Sequence, residues 1–354
     1  MSPSLSAAWY VAALRFAGLA LAWLLIGLVV LWATAALYFD FNWPSLRLLL
    51  ALLFLLSVCG AAYFAGATAP RMLVCLGGFL LVLAWWLTLK PSNHRNWQPD
   101  VAQTPWAEIS GDKVVLHNFR SCDYRAEFDY TCQWQTRTLD LSQLSGVDIF
   151  VTYWGSPWIA HPILSFRFAD GTYVAASIET RKEVGEEYSA IRGFFRAYEL
   201  IYIFADERDL VRLRTNYRKD EEVYAFRTIA GPEWSRELFL EYLRRANDMH
   251  QHPQWYNAAT DNCTTSIFTQ MAATGKLPAG SSAHSWWIVL NGPGTKALYK
   301  SGNFAVDPGN PQMTFAEAMQ KAHINEKART VNDAPDFSEQ IRAGRPGFAA
   351  LAGR

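Results

Sequence analysis

Residues 160–181 read AHPILSFRFADGTYVAASIETR. On the first arm Leu164, Phe166 and Phe168 alternate with Ile163, Ser165 and Arg167. On the return Val174, Ala176 and Ile178 alternate with Ala175, Ser177 and Glu179. Period two on both arms marks a pair of strands. Between them Ala169-Asp170-Gly171 forms a three-residue loop, and glycine in last place suits a type I turn followed by a left-handed residue and a bulge. The turn fixes the register. If 168 pairs with 172, then 166 pairs with 174 and 164 with 176, so apolar meets apolar. A slip of one residue would set polar against apolar. Continued outward, the register puts 163 opposite 177 and His161 opposite Glu179, on the more polar face.

The flanking chain extends this sheet. Runs 113–118, 133–139 and 148–153 before the hairpin, and 198–204, 209–214 and 222–227 after it, are short and β-prone. Pro232 opens a helix to about 249, with Leu238, Leu240 and Leu243 at helical spacing. A second helix runs over 266–274 and ends at Gly275, with Asp261 or Asn262 placed to cap it. From 277 the chain reads as loops with short helices, and from 332 as a tail with at most partial order. The expected class is α+β: one thiol domain over 107–331, joined by a Pro-, Asn- and Gln-rich linker at 91–106 to an apolar region at 1–90.

The chain has 354 residues, 51% apolar and 18% charged, with a formal net charge of zero. Neutrality argues against nucleic acid as a partner, since phosphate binding needs a basic excess or patch. The apolar excess lies in the first ninety residues. Three runs, 10–39, 46–67 and 71–90, are long enough to cross a bilayer, which takes about 20 residues. Trp9, Trp43, Trp85, Trp86 and Trp97 lie near their ends, where amphipathic aromatics settle at headgroups. Three spans put the two chain ends on opposite sides. The Lys/Arg bias is slight and leans toward a cytoplasmic domain: Arg15 and Arg71 on one side, Arg47, Lys90 and Arg95 on the other. Cysteine usage points the other way. Cys122 and Cys132 flank SCDYRAEFDYTCQW, a segment that can fold as a hairpin and join them, and a disulfide implies an oxidising, extracytoplasmic compartment. Cys59 and Cys75 lie within the spans. Cys263 is the thiol left over.

Cys263 stands in NAATDNCTTSIF, residues 257–268, at a helix start. The positive end of a helix dipole favours thiolate there. An activated nucleophile further needs a base and a group that orients the base. His161 on a strand and Glu179 on the neighbouring strand supply both, with Ser177 as the alternative third member. Backbone N–H groups at the helix start, that of Cys263 included, suit an oxyanion. The bland alternatives are a buried structural thiol, a strand histidine bonded to a carbonyl, and a carboxylate paired with Arg181. Spacing alone does not decide between the two sets. Tyr153 and Trp154, just before His161, are candidates to line an acyl cleft, or else ordinary core aromatics. Arg181, Arg208, Arg212, Arg214 and Arg218 either meet phosphate headgroups or form salt bridges with Glu179, Glu183, Glu207 and Asp209. His250 and His252, two apart at a helix end, read as a surface pair, and we expect no metal and no cofactor.

The order of a strand histidine, a polar residue on the next strand, then Asn262-Cys263 at a helix start is similar to that of circularly permuted papain-like enzymes of the NlpC/P60 superfamily. More specifically, VVLHNFRSCDYR (114–125), VDIFVTYWGSPWIAHPILSFRFADGTYVAASIETRKEVGEEYS (147–189), YELIYIFADERDLVRLRTNYR (198–218) and YNAATDNCTTSI (256–267) resemble the Lnb-type N-terminal periplasmic domain family. The resemblance covers about residues 97–340. It implies Cys263 as nucleophile and His161 as base, with Glu179 or Ser177 third and Asn262 in support. It also implies a multi-pass protein of the bacterial inner membrane with its C-terminal domain in the periplasm. The chemistry implied is lipoprotein N-acylation, with membrane phospholipid as acyl donor and bacterial lipoproteins as acceptors. The N-terminal placing of the spans departs from the pattern expected of that activity and leaves the exact reaction open. The expectation is therefore a thiol acyltransferase or lipid-acting hydrolase. The alternatives are a cysteine amidase or peptidase acting on peptidoglycan or peptides, and a non-catalytic membrane scaffold or binding module.

Overall fold

The computed structural model describes residues 3–277, 291–306 and 310–348. They form two compact units. One comprises Met1–Pro91 with Ile191–Ala197, the other Ser92–Ala190 with Tyr198–Arg354.

The first unit holds α1 (Pro3–Asp40), α2 (Pro44–Phe64) and α3 (Thr68–Thr88). All three are long and apolar enough to cross a membrane. Val30, Ala33 and Ala36 of α1 pack inward with Val58 of α2 and Cys75 and Val82 of α3. Leu14, Leu24, Leu56 and Leu81 point outward and exposed, as suits lipid rather than water. Trp32 makes edge contacts with Phe79 and Trp86, at 5.8 and 5.2 Å between ring centroids. Phe195, from Ile191–Ala197, stacks on Trp32, and the Arg196 guanidinium lies 3.8 Å over Trp86.

The second unit is built on an eight-stranded sheet. Its strands are β1 (Trp106–Ser110), β2 (Lys113–Ala126), β3 (Asp129–Asp140), β4 (Leu144–Trp154), β5 (Ser156–Phe168), β6 (Tyr173–Arg181), β7 (Glu199–Ala205) and β8 (Glu221–Arg227). The order is β1-β2-β7-β6-β5-β4-β8, with β3 paired to β2. Among the described residues, only the β2–β7 pairing is parallel. The helices are α4 (Glu207–Arg212), which runs into a π-helical turn at Leu213–Tyr217, then α5 (Pro232–Gln251), α6 (Cys263–Ala273), α7 (Gly294–Lys300), α8 (Phe315–Ala322), α9 (Asn325–Thr330) and α10 (Phe337–Arg342).

The β5–β6 hairpin has the register its turn dictates, Leu164↔Ala176 and Phe166↔Val174, with Gly171 at φ +88°. Phe166 on one face meets Phe239 and Tyr242 of α5. Full burial of each such ring is worth about 1.5–3 kcal/mol. The opposite face, expected to be the more polar one, is buried. Ile163, Ala175, Ile201, Ile203 and Ala225 lie beneath Leu210 and Val211 of α4, Ala328 of α9, and Phe337 and Ile341 of α10. Ser165 escapes an unmet hydrogen bond by donating to Glu207, whose carboxylate takes Arg342 Nη1 at 2.7 Å.

Three further expectations change. Residues 209–214, read as a strand, are helical. The run DLVRLR is β-prone at Val211 but keeps no strict alternation, with Leu210 and Val211 adjacent, and its polar members are buried as well: Arg120 binds Asp209 at 2.7 Å, and Arg214 binds Glu179 at 2.8 Å. The stretch 92–106 is bound to the sheet unit, with Gln98 N–H donating to the Lys182 carbonyl and Arg95 pairing with Glu199 at 2.9 Å. The polar segment beyond 332 carries α10, whose Phe337, Ile341 and Arg342 are fully buried. Cys122 and Cys132 face each other across β2 and β3 and are joined by a disulfide.

Candidate active site

The β5–β6 ladder ends at Leu164↔Ala176. Past that end, Ile159–His161 of β5 and Ile178–Thr180 of β6 line one cleft of about 470 Å³, together with Cys263.

Local sequence sets the nucleophile. Asn262 caps α6: its Oδ1 accepts the N–H groups of Thr264 and Thr265, both at 2.9 Å, and Thr265 Oγ1 accepts the Asn262 N–H at 2.8 Å in return. Cys263 is thereby the first helical residue. Its own N–H is one of those a helix start leaves without an intrahelical partner. The thiol is buried and faces the His161 ring.

His161 is gripped from its other side. Its Nε2 lies 2.7 Å from Ser177 Oγ and 3.1 Å from Glu179 Oε1. Ser177 Oγ donates onward to Glu179 Oε1 at 2.6 Å. With Nε2 so engaged, Nδ1 is the ring nitrogen left for the thiol. The choice between Glu179 and Ser177 dissolves, because both touch the ring and each other. Glu179 is held in turn by Arg214 Nη2 at 2.8 Å, and Arg214 Nη1 reaches Glu221 at 3.1 Å. Arg214 is 5% exposed and comes from the π-helical turn.

The charges reinforce one another. Burial alone would lower the His161 pKa, but the Glu179 carboxylate outweighs it and pushes the ring up to about 9. Burial would raise Glu179, yet His161 and Arg214 hold its carboxyl well below the usual range. Burial would raise Cys263 as well; the facing His161 ring outweighs it, helped by the Thr264 hydroxyl, and the thiol pKa is lowered. These shifts all favour the charged forms, so the series leans toward thiolate, imidazolium, carboxylate and guanidinium in sequence.

Of the other candidates, Trp154 lines the cleft. Tyr153 does not. Its hydroxyl bonds the Gly292 carbonyl at 2.8 Å and Thr295 Oγ1 at 2.7 Å, so it supports the chain behind the site. Arg181 donates to the carbonyls of Val101 and Ala102, and Arg212 pairs with Asp123 and Asp333. His250 Nδ1 meets Thr104 at 2.7 Å and His252 Nδ1 meets Asp248 at 3.1 Å.

Asn291 was not legible in the sequence. It reaches the cleft with Nδ2 3.9 Å from Cys263 Sγ, while its Oδ1 accepts the Ala160 N–H at 2.9 Å. The run Asn291-Gly292-Pro293-Gly294 signals a turn and nothing more. Tyr188 and Tyr256 also line the cleft and hydrogen-bond each other.

Residues 130–292 match the family model of the Lnb N-terminal periplasmic domain. The matched stretch contains His161, Ser177, Glu179, Arg214, Cys263 and Asn291. It is shorter than the stretch over which the sequence resembles that family. No curated protein matches the chain, and no solved structure does. The Lnb-type match and the three apolar helices indicate a membrane-anchored protein with a periplasmic domain. The disulfide suits that compartment.

Proposed function

We propose that the chain is a thiol acyltransferase or lipid-acting hydrolase of the bacterial inner membrane, working through a thioester on Cys263. The carrying observation is the ion-paired series Cys263, His161, Ser177/Glu179, Arg214 at the floor of an open cleft. The thiolate attacks the carbonyl carbon of a phospholipid ester and a C–S bond forms. The intermediate collapses, the ester C–O bond breaks, and His161 gives its proton to the departing alkoxide. A lipoprotein's N-terminal amine, or water, then attacks the thioester. His161 takes the proton from the attacking atom, and the C–S bond breaks to restore the thiolate. Splitting the transfer in two replaces one difficult step with two easier ones. Membrane anchoring raises the effective concentration of lipid-linked substrates at the thiol. The order of histidine strand before cysteine helix supports a permuted papain-like arrangement.

Phe128, Trp154, Ile159 and Tyr188 give the cleft apolar surface for an acyl chain. Lys182, Glu186, Glu187 and Arg218 lie on the same cleft and favour a second reading, a cysteine amidase acting on peptides or peptidoglycan. The deciding test is intact-protein mass spectrometry after incubation with phospholipid vesicles. The expected result is an acyl mass on wild type that neutral hydroxylamine removes and Cys263→Ala lacks. Phospholipid left unconsumed, with no adduct, overturns the lipid reading and turns attention to peptides. A phenotype untouched by Cys263→Ala would reduce the domain to a non-catalytic scaffold.

A further inference from the structure

Thioester chemistry at Cys263 needs donors for the oxyanion that forms when the carbonyl is attacked. At this helix start, Asn262 takes the N–H groups of Thr264 and Thr265, which leaves the Cys263 N–H. One donor is thin support for a full negative charge.

Asn291 supplies a second. Its amide cannot be turned the other way. The Ala160 N–H is a donor and must meet the side-chain oxygen, and it does so at 2.9 Å. The NH₂ group is therefore the end that faces Sγ, at 3.9 Å. That separation is too long for a strong bond to the sulfur itself. It leaves room for one oxygen, the atom two bonds from sulfur in a tetrahedral adduct.

The segment that carries Asn291 is fixed independently. Gly292 N–H donates to the Trp158 carbonyl at 3.1 Å, and Tyr153 clamps the Gly292 carbonyl and Thr295. A Cβ at Gly292 would lie 2.2 Å from the Pro157 carbonyl oxygen, so only glycine allows this approach to β5. The same strand then carries His161. The base and the second donor are thus registered against each other through Ala160.

We propose that Asn291 is a catalytic residue whose side-chain amide donates to the oxyanion formed on attack by Cys263. The inference rests on the thioester reading above. As the C–S bond forms, the carbonyl π pair moves onto oxygen, and Asn291 Nδ2 and the Cys263 N–H donate to it. Collapse returns the pair to carbon, the leaving-group bond breaks, and no proton is lost from Asn291.

The test compares two reactions of the same thiol in the full chain in detergent micelles. Acylation by p-nitrophenyl hexanoate passes through an oxyanion; alkylation by iodoacetamide does not. Asn291→Ala is expected to slow acylation about 10²-fold or more. Alkylation should keep its rate within about twofold, along with the wild-type pH midpoint that reports a folded, ion-paired thiol. Acylation at the wild-type rate overturns the role of Asn291 and leaves the thioester reading standing. A parallel fall of both reactions, or an alkylation midpoint moved to that of an ordinary thiol, assigns Asn291 to folding and overturns the role too. No Cys263-dependent acylation in wild type overturns both readings together.

Discussion

Glu179→Gln tests the whole charge series with one nearly isosteric change. In the native protein the Glu179 carboxylate lies 3.1 Å from His161 Nε2 and is the main force raising that ring to about 9 against its burial. Without the charge, burial and the neighbouring Arg214 both act to lower it. The ring then falls to its ordinary 6.5 or below. The loss from 9 to 6.5 corresponds to about 3 kcal/mol of support for the imidazolium. At pH 7.5 the ring passes from almost wholly protonated to roughly one-tenth protonated. Glu179 also repels the thiolate directly, but this acts more weakly than the His161 attraction it sustains. The net effect is a rise of the thiol pKa.

The assay is the rate of iodoacetamide alkylation of Cys263 against pH, read by intact mass. The sign is fixed by the two directions of shift. In wild type the thiol titrates below its ordinary value, so the rate rises early and holds a plateau until His161 deprotonates near pH 9. In Glu179→Gln the low-pH plateau disappears and the rate climbs only in the ordinary thiol range. Superimposable profiles would refute the claim that Glu179 acts through His161 on Cys263.

Two further outcomes are expected. Asn262→Ala removes the cap of α6 and costs about 1 kcal/mol in chemical denaturation, while moving the Cys263 alkylation midpoint upward as the helix start frays; an unchanged midpoint would separate the cap from the site. Replacing Cys122 and Cys132 together by serine frees a cross-link between positions ten residues apart and costs roughly 2–3 kcal/mol by chain entropy, read as a lower urea midpoint. Because Cys122 packs with Leu213 and Tyr217 at the turn that carries Arg214, the same variant should also slow acylation.

Much of this protein is determined by interactions within a few residues, and that part is readable in the sequence. Chain length against bilayer thickness gives the three apolar helices. The Ala169-Asp170-Gly171 turn gives the β5–β6 register as far as Leu164↔Ala176, because a turn permits one pairing; the expected pairs 163↔177 and 161↔179 lie past the end of the ladder, and His161 and Glu179 meet there through their side chains. Asn262 with Thr265 gives the start of α6 and so the place of Cys263, since a cap is a bond across three residues. The site itself is a matter of tertiary structure. Cys263 meets His161 across about a hundred residues, and nothing in either neighbourhood encodes the other. The segment 209–214, β-prone at Val211, is helical, and Asp209 and Arg214 find buried ionic partners on other elements, so the usual sorting of polar from apolar no longer holds. The hairpin's polar face is buried because α9 and α10, drawn from a segment of polar composition, carry Ala328, Phe337 and Ile341 onto it. Asn291 stands in a turn that any loop could contain. It becomes a candidate donor only because Gly292 lets it approach β5 and the Ala160 N–H dictates which end of its amide faces the thiol.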